Sequence, residues 1–176
     1  MSGHETPRGF PTVAWGRGDT AAARLGQRFV ASKLGSAVVR ALVPLDRRVL
    51  VRTGGRRTVL GPFGTPLLLL TTTGSVSGQP RTTPLVYLHD RDAILVVGSN
   101  FGQSRHPAWS TNLVKDPVAS VTIGGADYPV LATLLGGDER RAAWSKFADA
   151  AEPYRVYVTR TDREIRVFRL TLRGSG

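Results

Sequence analysis

The feature that most constrains the fold is a series of short segments rich in Leu, Val, Ile and Thr, separated by Gly, Pro and charged residues. The first segment, Leu67–Thr73, ends at Gly74 and is typical of a buried β-strand. Thr82–Leu88 and Ala93–Ser99 predict two more strands, and the polar residues 89–92 between them are typical of a hairpin loop.

Three further strands are predicted downstream. Val118–Ile123 and Pro129–Leu135 form a second hairpin across Gly124 and Gly125, and Arg163–Leu172 is the last strand. These strands are mostly joined by hairpins, with few helices between them, which favours an antiparallel barrel over a doubly wound parallel sheet. The predicted fold class is therefore mainly β (α+β).

A front helix is predicted to begin at Asp19 or Thr20 and to run to about Val43, where Pro44 ends it. Its helical spacing separates an apolar from a polar face, and we expect the apolar face to pack on the domain rather than on a membrane surface. The apolar face holds Val30, Leu34, Ala37, Val38 and Ala41, and the polar face holds Lys33, Ser36 and Arg40.

Two later helices are predicted. One begins after Pro107 and ends at Asp116 and Pro117. The other is capped by Asp138, carries an apolar stripe, and ends before Pro153. The stripe consists of Trp144, Phe147, Ala148 and Ala151.

The chain is basic, with a formal net charge of +11, and 21 of its 24 basic residues are arginine. Residues 1–66 carry net +8 and residues 67–176 only net +3, a field that favours an anionic partner. We predict two parts: residues 1–60, a basic leader with the amphipathic helix, and residues 61–176, the barrel. Residues 1–18 are rich in Gly and Pro and indicate a loose leader or a strap over the surface.

Several classes of protein and site are excluded. No cysteine is present, so disulfides, thiol catalysis and cysteine-ligated metals are ruled out. No apolar run approaches the length of a membrane span, and the first fifteen residues hold no apolar stretch that would serve as a signal peptide. We therefore expect a cytoplasmic protein, with association of the front helix with a membrane surface kept as an alternative.

Familiar catalytic motifs are also missing. The chain holds no P-loop, no Gly-x-Gly-x-x-Gly after a strand and no serine nucleophile elbow. His4, His89 and His106 lie far apart without carboxylates at ligand spacing, so we predict no metal site.

Two polar segments remain as candidates for a ligand site. In residues 71–85, Gly74 and Gly78 free the backbone to point N–H groups inward and Arg81 supplies a forked cation, so this segment is either a phosphate cradle or a polar hairpin turn. In residues 98–109, a strand ends in small polar groups where a helix begins, and helix N-termini attract anions. Trp109 at this point is either a core residue or a flank for a planar ring.

These residues together resemble the deazaflavin (F420)-dependent nitroreductase family, which includes F420H2-dependent quinone reductase-like proteins. The resemblance covers about residues 60–172 in consistent order. It is carried by Leu67–Leu85, Ser99, Gly102, His106–Trp109, Asn112–Leu113, Asp116–Pro117, Tyr154, Tyr157 and Thr161–Ile165.

The resemblance implies a split β-barrel of the flavin-reductase type and coenzyme F420 as cofactor. It further implies that reduced F420 passes a hydride to a small-molecule electron acceptor such as a quinone, a nitroaromatic or an activated enone. Tyr154 and Tyr157 would cap the substrate side, and Tyr157 or Ser99 would polarise the acceptor oxygen. The cofactor-binding residues implied are Thr73, Gly74, Ser75, Ser77, Gly78, Gln79, Arg81, Thr83, Pro84, Leu85, Ser99, Asn100, Phe101, Gly102, Ala108, Trp109 and Asn112.

The sequence departs from the family pattern at two places. Ser75 and Val76 stand where family members usually carry two basic residues, and Ala151 stands where a further tyrosine is common. Arg105 or the front arginines Arg56 and Arg57 are the candidates to compensate for the missing cations.

The residues alone leave other functions open. A flavin or haem on a similar barrel is one alternative, and a non-catalytic protein that binds an anionic ligand or a membrane surface is another. Nucleic acid is not favoured, because Phe168 is the one aromatic residue among the arginines of the last strand. We expect a monomer or a weak dimer.

Overall fold

The structure is a computed structural model that describes residues 9–11, 21–53 and 66–174, with the backbone alone for residues 21–24 and 27. Several predictions concern residues outside these ranges. They are the cap at Asp19 or Thr20 and the cations Arg56 and Arg57.

Within the described residues, six antiparallel strands close into a barrel in the order β1-β2-β3-β6-β5-β4, which confirms the predicted fold class. The last strand is shorter than predicted and starts at Val167, because residues 163–166 form the approach to it. The strands are β1 Leu67–Thr73, β2 Pro80–Asp90, β3 Ala93–Val97, β4 Val118–Ile123, β5 Ala126–Leu134 and β6 Val167–Leu172.

The barrel interior is filled by the inward residues of every strand. Leu70, Tyr87, Ile94 and Phe168 are at most 1% exposed, and burying such side chains is worth about 1.5–3 kcal/mol each. Phe10 belongs to the same core, so the described part of the leader is a strap over the barrel.

Three helices that follow the front helix in the chain lie outside the barrel. α3 spans Ala108–Lys115, α4 spans Gly137–Ala150 and α5 spans Glu152–Tyr157. The prediction that Asp138 caps α4 is wrong: Gly136 is the capping residue, and Asp138 lies in the first turn, where its charge favours the helix dipole. Phe147 of α4 packs in a second core with Leu95, Val97 and Ile165.

The front helix is two helices, α1 at Ala21–Ala31 and α2 at Lys33–Arg52. The prediction that Pro44 ends it is wrong, because Pro44 lies inside α2. A proline in a helix interior removes one hydrogen bond, and here the burial of Asp46 and Leu50, each 1% exposed, keeps the chain helical beyond it.

The predicted faces of this helix are wrong in part: Lys33 and Arg40 are exposed as predicted, but other residues lie on the opposite side from the one expected. Ser36, expected on the polar outer side, is 3% exposed, whereas Leu34 and Val38, expected against the barrel, are 70% and 41% exposed. Ser36 is buried because its hydroxyl is hydrogen-bonded on both sides. Its Oγ donates to the carbonyl oxygen of Val30 at 2.7 Å and accepts a hydrogen bond from Arg160 at 3.1 Å. Among α1 to α5, no helix of the described chain combines the length and apolar character that a membrane crossing requires.

Candidate functional site

A cavity of about 350 Å³ lies between the front helices and the barrel, within the size range of small-molecule sites. Strand β2, the turn after β3, helix α3 and helix α5 complete its wall. The cavity brings together nine of the residues that the sequence predicted for the site. They are Thr83, Pro84, Leu85, Ser99, Asn100, Phe101, Trp109, Tyr154 and Tyr157.

The turn after β3 has an unusual backbone. Asn100 and Phe101 have φ values of 48° and 56°, and Gly102 has a φ of 75°, a left-handed region that costs free energy for residues other than glycine. A Cβ on Gly102 would lie 2.8 Å from both the carbonyl oxygen of Tyr157 and Cβ of Arg160. The close approach of this turn to the end of α5 therefore requires glycine.

Arg163 holds the same turn from the other side. Its Nη2 donates to the carbonyl oxygens of Ser99 at 2.8 Å and Gly98 at 3.0 Å, and its Nε donates to that of Gln103 at 2.8 Å. Its Nη1 lies 3.2 Å from Nδ1 of His106. Arg163 therefore fixes the position of Ser99, a role that its place in the sequence, just before the last strand, did not indicate.

Tyr154 and Tyr157 lie one helical turn apart on α5, and both face the cavity. Their rings meet edge to face at 6.2 Å. Burial, together with the neighbouring Tyr157, raises the pKa of Tyr154. Burial raises the pKa of Tyr157 as well, although the hydrogen bond with Ser36 and the charge of Arg160 oppose it. Both phenols therefore keep their protons at neutral pH and act as hydrogen-bond donors.

Helix α3 contributes two of the predicted residues in different ways. Trp109 is 4% exposed and packs on Phe168 with ring centroids 5.6 Å apart, yet it also lines the cavity. Asn112 is outside the cavity wall: its Oδ1 accepts from the backbone N–H of Ser75 at 2.9 Å and its Nδ2 donates to Thr72 Oγ1 at 3.0 Å. Asn112 thus anchors the loop after β1. Ala108 lies exposed at the start of α3.

Three N–H groups of the loop between β1 and β2 are bound within the protein. Gly74 N donates to the carbonyl oxygen of Gln79 at 2.9 Å, and Gly78 N donates to that of Gly74 at 2.8 Å. Ser75 N donates to Asn112, so these three groups are not available to an anion. Thr73, Ser77, Gln79 and Arg81 are exposed.

Two cations lie at this loop. Among residues 9–11, 21–53 and 66–174, the Arg81 guanidinium has no hydrogen-bond or ion-pair partner. Lys115, at the end of α3, donates from Nζ to the carbonyl oxygen of Ser75 at 2.7 Å. The sequence did not indicate Lys115, because its proximity to Ser75 depends on how α3 packs beside β1. Arg105 is exposed.

The front helices supply a part of the wall that sequence reasoning missed. Val30 of α1 and Val39, Val43 and Asp46 of α2 line the cavity. Val30 belongs to the predicted apolar face, whereas Val39, Val43 and Asp46 do not. They were missed because α2 turns Ser36 inward and Leu34 and Val38 outward.

A larger, more open depression of about 690 Å³ lies around Asp90 and holds none of the predicted site residues. Four of its charged side chains pair with each other: Lys146 and Arg169 lie 2.6 Å and 3.3 Å from the carboxylate of Asp90, and Arg169 lies 3.2 Å from Glu139. The contact with Lys146 is the largest cause that lowers the pKa of Asp90. These pairs fasten α4 to the barrel.

The fold and the site define a β-barrel protein with a largely apolar cavity of ligand size. The exposed Arg81 lies on β2, the strand that supplies part of the cavity wall, and its guanidinium suits an anionic group. A sequence model of the F420H(2)-dependent quinone reductase family matches residues 38–171. The chain belongs to this family, which confirms the resemblance and, with it, coenzyme F420 as the cofactor.

Similar proteins agree with this assignment. The F420H(2)-dependent quinone reductase Rv1261c of Mycobacterium tuberculosis is 38% identical over 124 residues, which cover 69% of this chain and 83% of the relative. A solved structure described as an F420-H2 dependent reductase (FDR-A) is 38% identical, covers 60% of this chain and 93% of its own, and has a TM-score of 0.55.

A second solved structure, described as a domain-swapped dimer, is 33% identical. It covers 77% of this chain and 98% of its own, with a TM-score of 0.57. A protein of Agrobacterium tumefaciens at 17% identity, with a TM-score of 0.51, shares the fold alone.

Proposed function

We propose that this protein is an F420H2-dependent reductase whose acceptor is a quinone. The observation that carries the proposal is the cavity itself. One largely apolar space of about 350 Å³ gathers a β2 segment, the Ser99 turn and two tyrosine donors, and β2 also carries the exposed Arg81. Family membership and the names of the relatives support the same chemistry.

The cofactor ring would be held in the cavity and its anionic tail outside it. Thr83, Pro84 and Leu85 of β2 supply one wall for the ring, and Trp109 supplies an aromatic surface. Arg81 and Lys115 supply the charges for the tail. Lys115 thus provides a cation beside Ser75, where the usual basic pair of the family is missing.

When bound, reduced F420 supplies a hydride to the acceptor. The protein orients the acceptor and stabilises the negative charge that develops on its oxygen. Tyr157 is suited to this role, because burial raises its pKa and keeps the phenol protonated. Its hydroxyl bonds with Ser36 and donates a long bond of 3.5 Å to the carbonyl oxygen of Val30, which an acceptor oxygen would replace. Ser99 is the second donor at the cavity wall, and solvent supplies the proton that completes the reduction.

Nitroaromatics and activated enones are further acceptors in this proposal. Each carries an electron-poor atom conjugated to an oxygen that Tyr157 or Ser99 would polarise. Ala151, where a tyrosine is common in the family, leaves room beside Pro153 and Tyr154. The proposal therefore ranks quinones first and predicts measurable activity with nitroaromatics.

The experiment is a titration of the protein with F420, followed by quenching of the cofactor fluorescence. Saturable binding that Arg81→Ala weakens, with Arg173→Ala as an exposed arginine control, supports the proposal. Absence of binding to the wild-type protein contradicts it and returns attention to a flavin, haem or non-catalytic role.

We also propose a peripheral contact between α2 and an anionic membrane surface. Leu34, Val38, Leu42 and Leu45 are 39% to 70% exposed and recur at helical spacing along one face. Exposed arginines of α2 lie along the same helix and complement anionic headgroups. They are Arg40, Arg47, Arg48 and Arg52.

The test is co-sedimentation with vesicles of anionic and of zwitterionic lipid. Leu34→Gln combined with Leu45→Gln should reduce binding to the anionic vesicles, whereas Val114→Gln, an exposed apolar residue of α3, should not. A mass that rises with protein concentration without lipid, and that the double variant abolishes, would assign this face to a second copy of the chain instead.

A further inference from the structure

The joint between α1 and α2 lies directly beside the cavity and is rigid in itself. Ser32 caps α2 by accepting a hydrogen bond from Gly35 N at 2.9 Å, and its Oγ donates to the carbonyl oxygen of Phe29 at 2.7 Å. A Cβ on Gly35 would overlap that same carbonyl oxygen. The two helices therefore meet in a tight turn and move, if at all, as one unit.

Arg160, in the turn that follows α5, fastens this unit to the rest of the protein. Its Nη1 donates to Ser36 Oγ at 3.1 Å, and its Nη2 donates to the carbonyl oxygen of Ala31. Ser36 Oγ in turn donates to the carbonyl oxygen of Val30 at 2.7 Å. Because Ser36 is 3% exposed, these charge-assisted bonds are shielded from water, and the burial strengthens them.

The same arginine is coupled to a predicted catalytic residue. Its guanidinium carbon lies 5.6 Å from the ring centroid of Tyr157, within the range of a cation–π contact. The Tyr157 hydroxyl in turn faces Val30 at 3.5 Å. Arg160, the helix joint and Tyr157 thus form one connected network.

The unit that Arg160 holds forms an apolar part of the cavity wall, with Val30 on α1 and Val39 and Val43 on α2. The cations at the loop after β1, Arg81 and Lys115, lie on other elements. A change in the position of the helix pair would therefore alter the acceptor's surroundings more than the contacts of the cofactor tail.

We infer that Arg160 is a positioning residue for the electron acceptor: it sets the wall of Val30, Val39 and Val43 against which the apolar part of the acceptor packs. The inference rests on the proposed function. The chemistry recognised is an uncharged aromatic ring with apolar substituents, because the three valines gain from burying hydrocarbon. Asp46, which α2 adds to the same wall, offers no counter-charge to an anionic acceptor.

The test compares Arg160→Met and Arg160→Lys with Arg155→Met, an exposed arginine of α5. Each variant is assayed with F420H2 and an alkyl-substituted naphthoquinone, and its F420 Kd is measured separately by fluorescence. We expect Arg160→Met to raise the acceptor KM about tenfold with kcat and F420 Kd within about threefold of wild type. The acceptor KM of Arg160→Lys should lie between those of wild type and Arg160→Met, and the KM of Arg155→Met should equal that of wild type.

A second pair of variants tests the wall directly. Val39→Phe fills space in the cavity, whereas Val51→Phe places the same side chain at an exposed position of the same helix, outside the cavity wall. Val39→Phe should raise KM for the substituted naphthoquinone about tenfold and for unsubstituted benzoquinone less than threefold, and Val51→Phe should change neither.

The outcomes separate this inference from the proposed function. If Arg160→Met weakens F420 binding as strongly as it raises KM, lowers kcat with KM unchanged, or behaves like Arg155→Met, the inference is overturned. If the wild-type protein does not oxidise F420H2, the proposed function fails. In that case, binding of the naphthoquinone to the cofactor-free protein is measured by quenching of tryptophan fluorescence. The inference requires weaker quinone binding in Arg160→Met and in Val39→Phe, with the control variants equal to wild type.

Discussion

Arg163 donates a hydrogen bond of 2.8 Å to the carbonyl oxygen of Ser99, and the same nitrogen reaches the carbonyl oxygen of Gly98. A residue just before the last strand thereby fixes a turn between β3 and α3 whose backbone is partly left-handed. The position of Ser99 in the cavity depends on this long-range contact.

Replacing Arg163 should disturb this turn. Arg163→Met leaves the carbonyl oxygens of Gly98, Ser99 and Gln103 without their donor, and we expect a loss of about 2 kcal/mol in the free energy of unfolding. Urea unfolding measures the loss, and Arg141→Met, at an exposed arginine, should change stability by less than about 0.5 kcal/mol. Equal effects of the two variants would show that Arg163 does not hold the turn.

Gly102 should be the glycine least tolerant of substitution at the site. Gly102→Ala places a Cβ against Tyr157 and Arg160 in a left-handed conformation, and we expect a loss of about 3 kcal/mol in the free energy of unfolding. Gly137→Ala is the matched control, because Gly137 also has a positive φ but a Cβ there meets nothing within 4 Å. Gly137→Ala should lower the free energy of unfolding by about 1 kcal/mol. Identical costs would mean that the close approach at Gly102 is unimportant.

His106 should make stability depend on pH. Burial, followed by the charges of Arg166 and Arg163, lowers the pKa of His106 below its usual value of 6.5. The unfolded chain then binds the proton more readily than the folded one, so this contribution is complete above about pH 6.5 and is lost as the pH falls below it.

Urea unfolding at several pH values checks this dependence. His106→Gln should flatten the decline below pH 6.5. A wild-type stability that does not fall in this range, or that falls equally in His106→Gln, would contradict the account.

Lys115 and Arg81 should each contribute to the affinity for F420. Because both side chains are exposed, each contact is worth about 1 kcal/mol, or about fivefold in Kd, and should weaken with added salt. Fluorescence titration of Lys115→Met and Arg81→Met at two ionic strengths measures this. Arg91→Met, on the turn between β2 and β3, should leave Kd unchanged; the same Kd in all three variants would exclude a role for the loop cations.

The strands were predictable because their signal is local. β1 and β4 match the predicted bounds, since each is an apolar, β-branched run between turn residues. The role of Pro153 was harder to predict. A proline shortly after a helix usually marks the end of that helix, but Pro153 lies in the first turn of the next helix, α5, where proline is also favoured. Local sequence does not separate these two roles.

The supports of the site were not predictable, because they depend on tertiary contacts. Arg160 and Arg163 act on residues far away in sequence, namely Ser36 and Ser99. The faces of α2 were predicted only in part, because the hydrogen-bonded Ser36 is buried while Leu34 and Val38 are exposed. The residues that resemble the family, by contrast, identified nine positions of the cavity wall.

The most direct test of the central claim is a single-turnover reaction without oxygen. The protein is mixed with one equivalent of F420H2 carrying deuterium at the hydride-donating carbon, or unlabelled, and then with a naphthoquinone. The account predicts that oxidised F420 appears in proportion to the quinone consumed, and more slowly with the labelled cofactor. Binding of F420H2 without oxidation above the protein-free rate would contradict it.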